Sequence, residues 1–380
     1  MKILIAPDSF KESLSAEQAA RAIGQGFQAI YPNAELVLVP VADGGEGTTE
    51  ALVAATGGES YTDHVTGPMG VPLDASWGRL GDGVTAVIES AAASGLDLVP
   101  SAERNPWLAT SRGTGELIRA ALDRGARHII VGLGGSATND AGAGMLQALG
   151  ARLLDEAGED IPAGGGGLER LARIDTEGLD PRLAETRFEI ACDVDNPLTG
   201  DNGASAVFGP QKGADPEMVQ KLDACLARFA RVVEETNGKA INDIPGAGAA
   251  GGLGGAFLAF FEARLKPGID IVLDAVGIDH KLEGVDLVIT GEGRIDSQTV
   301  RGKTPVGVSR RARAKGVPVI ALAGSVSSDS DCVHDYGIDA LFSVVPGVVT
   351  LPEALETAAD NLYRSARNIA AVWKLAERRY

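Results

Sequence analysis

The sequence predicts an α/β protein of two domains: a doubly wound, mostly parallel sheet domain built from both chain ends, with an α+β domain inserted between them. Three observations predict it. Short apolar runs alternate with helical segments at the start of the chain (Lys2–Ala6, Leu36–Val41) and again towards its end (Leu287–Thr290, Val317–Ala323, Ala340–Val345). Hairpin-like strands interrupt that alternation after Gly57. The 50 glycines among 380 residues gather in short loops behind the apolar runs rather than in low-complexity filler.

Lys2–Ala6 reads as a buried strand, and Ser15-Ala-Glu-Gln18 as a capping box opening a helix that runs to Ile30. Leu36–Val41 is a second strand, followed by the loop Ala42–Thr48 and a helix to Ala55. Strand–loop–helix units of this kind make a parallel sheet. Ser60–Val65, Leu73–Leu80 and Val84–Ser90 then read as strands joined by the turns Gly67–Gly70 and Gly81–Gly83. A helix over 114–124, a strand Ile129–Leu133, a helix over 141–154 and a flexible loop at Gly164–Gly167 follow. After strand Phe188–Cys192 come helices over 215–236 and 249–264. Alternation resumes with a strand at Ile269–Asp274, and the last helix is expected from Pro352 to about Arg378. Residues 1–60 and 268–380 are thus expected to form a Rossmann- or flavodoxin-like domain and 61–267 the insert. Ligands belong at the carboxyl ends of the parallel strands, in the cleft between the domains.

Charge and composition exclude several classes of function. A net charge of −18 leaves no basic face for nucleic acid. No apolar run reaches the ~18 residues that span a bilayer, and MKILIAPDSF enters a strand directly instead of forming a signal peptide. Cys192, Cys225 and Cys332 lie too far apart for a disulfide framework or a metal cluster, so a cytoplasmic location is expected.

Six polar loops follow apolar strands: Pro7–Ser13, Asp43–Thr48, Gly134–Asp140, Asp193–Asn196, Gly251–Gly255 and Thr290–Asp296. An Asp-Gly loop taken singly is an ordinary turn. Several at one end of a sheet gather carboxylates that repel one another unless a cation joins them. Phosphoryl transfer accounts for the combination. Gly and Ser/Thr loops at helix N-termini bind phosphate through backbone N–H groups, while Asp and Asn hold Mg²⁺ or accept a hydroxyl proton. Lys11, Lys212, Arg294 and Lys303 are the loop cations expected to meet anions; the plainer reading of each is a solvated charge.

Two nucleotide motifs match only in part. Gly302-Lys-Thr304 resembles the end of a Walker A loop, but Ser297 stands where its first glycine belongs and Pro305 follows. Gly132-Leu-Gly134-Gly-Ser-Ala137 fits a dinucleotide fingerprint, yet Asp155, some 20 residues on, lies beyond a predicted helix with no obvious second strand before it. The histidines fall outside the polar loops, and no Gly-x-Ser-x-Gly elbow occurs, which argues against a covalent hydrolase.

The segments Ala6–Ser13, Ala42–Thr48, Gly132–Gly142, Cys192–Leu198 and Thr290–Asp296, in this order and spacing, resemble those of the bacterial glycerate kinases of the first class, across essentially the whole chain. The resemblance implies an ATP- and Mg²⁺-dependent kinase that converts D-glycerate to 2-phosphoglycerate, with 3-phosphoglycerate the alternative product. Under it, Asp8, Ser9, Lys11, Gly44, Gly45, Glu46 and Arg294 would bind substrate. Lys11 and Arg294 would hold the carboxylate or the moving phosphoryl group; Asp193, or its rival Asp43, would orient or deprotonate the hydroxyl. Gly134, Gly135, Ser136, Asn139, Gly252, Gly254, Gly291, Gly293 and Lys303 would contact the nucleotide or its phosphates, and Asp195 or Asp296 the metal. The competing readings are a non-catalytic sugar-acid sensor and an NAD-dependent hydroxy-acid dehydrogenase. Oligomeric state is not legible in the sequence.

Overall fold

The structure, a computed structural model, describes residues 1–377. Its strands in chain order are β1 (Lys2–Pro7), β2 (Glu35–Leu38), β3 (Glu59–Thr66), β4 (Pro72–Arg79), β5 (Thr85–Glu89), β6 (His128–Gly132), β7 (Arg152–Leu154), β8 (Arg173–Asp175), β9 (Arg187–Ala191), β10 (Glu262–Lys266), β11 (Leu287–Ile295), β12 (Val319–Val326) and β13 (Ala340–Ser343). The chain divides into two units: residues 1–43, 50–57 and 269–380, and residues 44–49 and 58–268.

The first unit holds a sheet of order β13-β12-β11-β1-β2, every pair parallel. Helices cover both faces, so the central strands run as apolar stretches at Ile3–Ala6, Leu287–Ile289 and Val319–Ala323 and do not alternate there. On one face Ile3, Ile5, Leu287 and Ile289 pack against helices Ala16–Gln28 and Ala358–Glu377 through Ile23, Phe27, Leu362 and Ala366. On the other, Ala321 and Ala323 meet Val306 of helix Thr304–Ala314. The capping box is present as the sequence predicts: Ser15 Oγ accepts from Gln18 N at 3.3 Å while Gln18 Oε1 accepts from Ser15 N at 3.0 Å.

The second unit holds a mixed sheet, β10-β9-β6-β5-β4-β3, parallel from β10 to β5 and antiparallel at the β5-β4-β3 meander. Trp77, fully buried on β4, donates from Nε1 to Asp63 Oδ2 at 2.8 Å and stacks on Tyr61.

Several local expectations are corrected. Ile269–Asp274 lies in a helix, Gly268–Ala275, not a strand. A short run buried nearly all round has no period to separate the two. The helix expected over 141–154 spans only Ala143–Ala148, since Gly150 turns the chain at φ +104°, and Arg152–Leu154 pairs antiparallel with β8. The helix expected over 249–264 ends at Phe260, and Glu262–Lys266 is a parallel strand on β9. Gly164–Gly167 is no flexible loop but enters a short 3-10 helix packed so tightly that a Cβ on Gly166 would sit 2.1 Å from the Trp107 ring. The last helix is two, Leu351–Glu356 and Ala358–Glu377; Arg378 lies outside the described residues.

Candidate active site

In the first unit the strand order reverses beside β1: the chain proceeds to β2 on one side and β11, β12 and β13 on the other. At such a switch point the following loops diverge and leave a crevice at the carboxyl ends of the strands. Asp8 follows β1 directly, its N–H bonded to Gly291 O at 2.8 Å. Its carboxylate accepts from Ser9 N at 2.6 Å and from Thr304 Oγ1 at 2.5 Å. On β11, Glu292 accepts from Thr299 Oγ1 at 2.8 Å and meets Lys303 Nζ at 3.5 Å. Lys303 is the residue before helix Thr304–Ala314, whose N-terminus adds a positive dipole end.

These two carboxyls are perturbed strongly. Burial pushes Asp8 up to about 6; the Thr304 hydrogen bond opposes this and the charge of Asp43 adds to it. Burial also pushes Glu292 up to about 7, against Thr299 and Lys303, with the charge of Asp8 adding to the rise. Three carboxylates, Asp8, Asp43 and Glu292, therefore repel at one sheet end. Lys11 and Arg294 are exposed at this sheet end: Lys11 N lies 3.5 Å from where a Cβ on Gly293 would be, and Arg294 Nε is 3.2 Å from Asp296 Oδ2. Gly291 serves packing, since a Cβ there would meet Leu322 O at 2.1 Å.

In the second unit, the carboxyl ends of β5, β6 and β9 gather another set of expected residues. Gly44 adopts φ +95°, and a Cβ there would lie 2.6 Å from Gly268 Cα. Its carbonyl crosses 2.8 Å from the Cβ position of Gly132, so loop Gly44–Thr49 lies on the turn that follows β6. Glu89, at the end of β5, accepts from Thr49 N at 2.8 Å. Asp193, after β9, accepts from Gly268 N at 3.0 Å. Glu46 and Asp195 are exposed.

Gly134 and Gly135 form an exposed turn, Gly135 at φ +72°. The N–H groups of Gly134 and Gly135 meet no backbone acceptor among the described residues, whereas Gly135 O and Ala137 N are bonded to Leu96 N and Ser94 O. Successive unpaired N–H groups on an exposed glycine turn are the kind of donors that bind anions. Below the turn, Asp140 is buried and accepts from Ser111 N and Oγ, Gly142 N and Gly144 N, which fixes the segment.

Asn139, Gly252 and Gly254 are not at that surface. Asn139 is fully buried and donates to Ser205 Oγ. A Cβ on Gly252 would lie 2.9 Å from Ala141 Cα, and one on Gly254 2.4 Å from Gly246 O, so close packing accounts for both glycines. Among the described residues no group of three or more His, Cys, Asp or Glu side chains has metal-holding geometry. Glu292, Thr299, Thr304 and Glu89 escaped the sequence reading. The signal for Glu292 lay inside the quoted Thr290–Asp296 segment, masked because its polar residues read as a loop.

The fingerprint at Gly132–Ala137 does not open a dinucleotide unit. A strand does precede Asp155, but it belongs to the two-stranded antiparallel β7-β8 ribbon, and the Asp155 carboxylate is bound by Ala157 N, Glu159 N and Arg170.

A model of the glycerate kinase family matches residues 3–374. The chain belongs to the glycerate kinase family. It is 59% identical over 377 residues to a glycerate kinase of Bacillus subtilis (strain 168), covering 99% of each chain. It is 56% identical over 378 residues to a glycerate 2-kinase of Escherichia coli (strain K12), covering 100% of this chain and 99% of the other. A solved structure of a Salmonella typhimurium LT2 protein, provisionally named glycerate kinase 2, is similar at TM-score 0.93 and 55% identity, over 100% of this chain and 99% of that one. Membership makes this protein a kinase, with ATP implied as phosphate donor, on an α/β framework of mostly parallel sheets. No described helix is long and apolar enough to cross a membrane.

Proposed function

We propose that the protein transfers the γ-phosphoryl group of ATP to the 2-hydroxyl of D-glycerate, giving 2-phosphoglycerate and ADP. The observation that carries this is the full-length family match, with a relative named glycerate 2-kinase at 56% identity. The geometry supports it in two places. The Gly134–Gly135 turn offers unpaired N–H groups for phosphate oxygens, and Lys303 with the N-terminus of the helix that follows it is a further positive site. Lys11 and Arg294, exposed at the same sheet end as these carboxylates, suit the glycerate carboxylate.

In the proposed step the substrate oxygen attacks phosphorus as the bond to the ADP oxygen breaks, and the hydroxyl proton passes to a carboxylate. Asp193 is the proposed acceptor, since Gly268 N–H orients it and it is exposed; Asp43 is the rival. For Mg²⁺ the argument is the chemistry of the donors and not a preformed three-carboxylate site: Asp8 and Glu292 are hard oxygen donors, and a divalent cation would relieve the charge that Asp8 places on Glu292 and Asp43 on Asp8. Asp8 and Glu292 would hold it better than the expected Asp195 or Asp296, the former exposed in the other unit and the latter paired with Arg294. Bound there, the ion would neutralise charge on the transferring phosphates.

The proposal keeps the domain reading of 1–60 with 268–380 around an insert of 61–267, the doubly wound character of the first, a common cleft for both substrates, and a cytoplasmic setting. A coupled assay of ADP release with D-glycerate and ATP, with and without Mg²⁺, tests it. Glycerate- and Mg²⁺-dependent ADP formation is expected. No turnover would favour the sugar-acid sensor, and a nicotinamide absorbance change with NAD the dehydrogenase.

A further inference from the structure

Lys212 is buried at 2% exposure, in the short 3-10 helix Pro210–Lys212. A lone buried ammonium is costly to desolvate, and an apolar side chain of the same length would avoid that cost. Its Nζ donates to Ser136 Oγ at 2.9 Å and to the carbonyl of Thr138 at 2.7 Å. Both acceptors belong to the segment that carries the exposed Gly134–Gly135 turn. Two other oxygens there, Thr138 Oγ1 and Asn139 Oδ1, are buried without a hydrogen-bond partner. Beside the backbone bonds of Gly135 O and Ala137 N, Lys212 supplies the side-chain contact that ties Ser136 and Thr138 together.

We infer that Lys212 is a positioning residue for the nucleotide phosphates: through Ser136 Oγ and Thr138 O it fixes the segment that carries the Gly134–Gly135 turn and places a buried positive charge next to that turn's unpaired N–H groups. This rests on the reading of that turn as a phosphate site. An anion there would meet N–H dipoles reinforced by a cation that water does not screen. Asp140 is the titratable group whose charge acts on Lys212 among the described residues, and its carboxylate is already bound by Ser111, Gly142 and Gly144.

Burial pulls the Lys212 ammonium down to about 7, with the charge of Asp140 pushing it back up. Its charge is therefore full at pH 6 and largely gone at pH 8.5, and nucleotide binding should weaken across that range.

The test is ADP and ATP binding by calorimetry from pH 6 to 8.5, on the wild type and on Lys212→Gln, with kcat and both KM values in parallel. Wild-type affinity for ADP is expected to fall about tenfold across the range. Lys212→Gln should bind about tenfold more weakly at pH 6 with a flattened pH profile, and Lys212→Arg should keep tight binding at pH 8.5. KM for glycerate should move less than twofold in each variant. Superimposable wild-type and Gln profiles, or equal losses for ADP and glycerate, overturn the inference. The wild-type profile stands even if a variant fails to fold, and a flat one is equally fatal. Glycerate kinase activity with an unchanged ADP profile defeats the role of Lys212 alone, whereas a chain with no kinase activity defeats the underlying reading.

Discussion

Replacing Glu292 by glutamine keeps the acceptor for Thr299 Oγ1 and removes a carboxyl that burial holds far above its ordinary range. The rise from 4.5 to about 7 corresponds to about 3 kcal/mol, at roughly 1.4 kcal/mol per pH unit. Its sign follows from proton linkage. The folded state binds the Glu292 proton more tightly than the unfolded chain does. That contribution to stability is complete below pH 4.5 and is lost as pH rises to about 7. Urea unfolding of both proteins from pH 4.5 to 8 supplies the assay. The wild type should lose about 3 kcal/mol relative to Glu292→Gln across that interval, most of it between pH 5 and 7. A wild-type minus variant difference that stays flat with pH would refute the reasoning, because the carboxyl would then titrate normally. Saturating Mg²⁺ should reduce the wild-type loss if the metal sits against this carboxylate, and should leave the variant unchanged.

Asp193→Asn should lower the single-turnover rate of phosphoryl transfer ~10²-fold or more, since an amide cannot accept the hydroxyl proton. A change within about threefold, with loss in Asp43→Asn, would move the base to Asp43. Gly135→Val should cost ~1–2 kcal/mol, because a β-branched residue is forced to φ +72°, and should raise KM for ATP; a melting curve and ATP titration read the two effects separately. Trp77→Phe should destabilise by ~1–3 kcal/mol, through loss of the Asp63 hydrogen bond and a cavity on β4, with kcat unchanged. A change in kcat would show that the β3-β4 meander matters to catalysis.

What the sequence revealed tracks how local each signal is. The Ser15–Gln18 capping box and the alternating strands β3 and β4 are written within a few residues, and the structure shows them where they were expected. The helix Gly268–Ala275 was misread because its apolar run is buried on nearly every side. The strand read as Leu287–Thr290 continues to Ile295, since Gly-Glu-Gly-Arg can lie in a parallel ladder against β12 as readily as in a loop. That continuation carries Glu292 into the crevice with Asp8, a meeting of residues some 280 positions apart that no local pattern encodes. The burial of Lys212 is of the same kind. Its neighbours in sequence are glycine, proline and glutamine, which read as surface, while its partners Ser136 and Thr138 come from a distant turn. The Gly134–Ser136 turn was legible because its glycines and polar flank are contiguous. Gly252 and Gly254 share that composition but meet other backbone, a distinction of packing rather than of sequence.

Phosphorus NMR of the product formed from D-glycerate, ATP and Mg²⁺ by the purified protein identifies the hydroxyl that is phosphorylated. The expected product is 2-phosphoglycerate, formed one-to-one with ADP. 3-Phosphoglycerate would contradict the proposed choice of hydroxyl, and the absence of any phosphoglycerate would contradict the function itself.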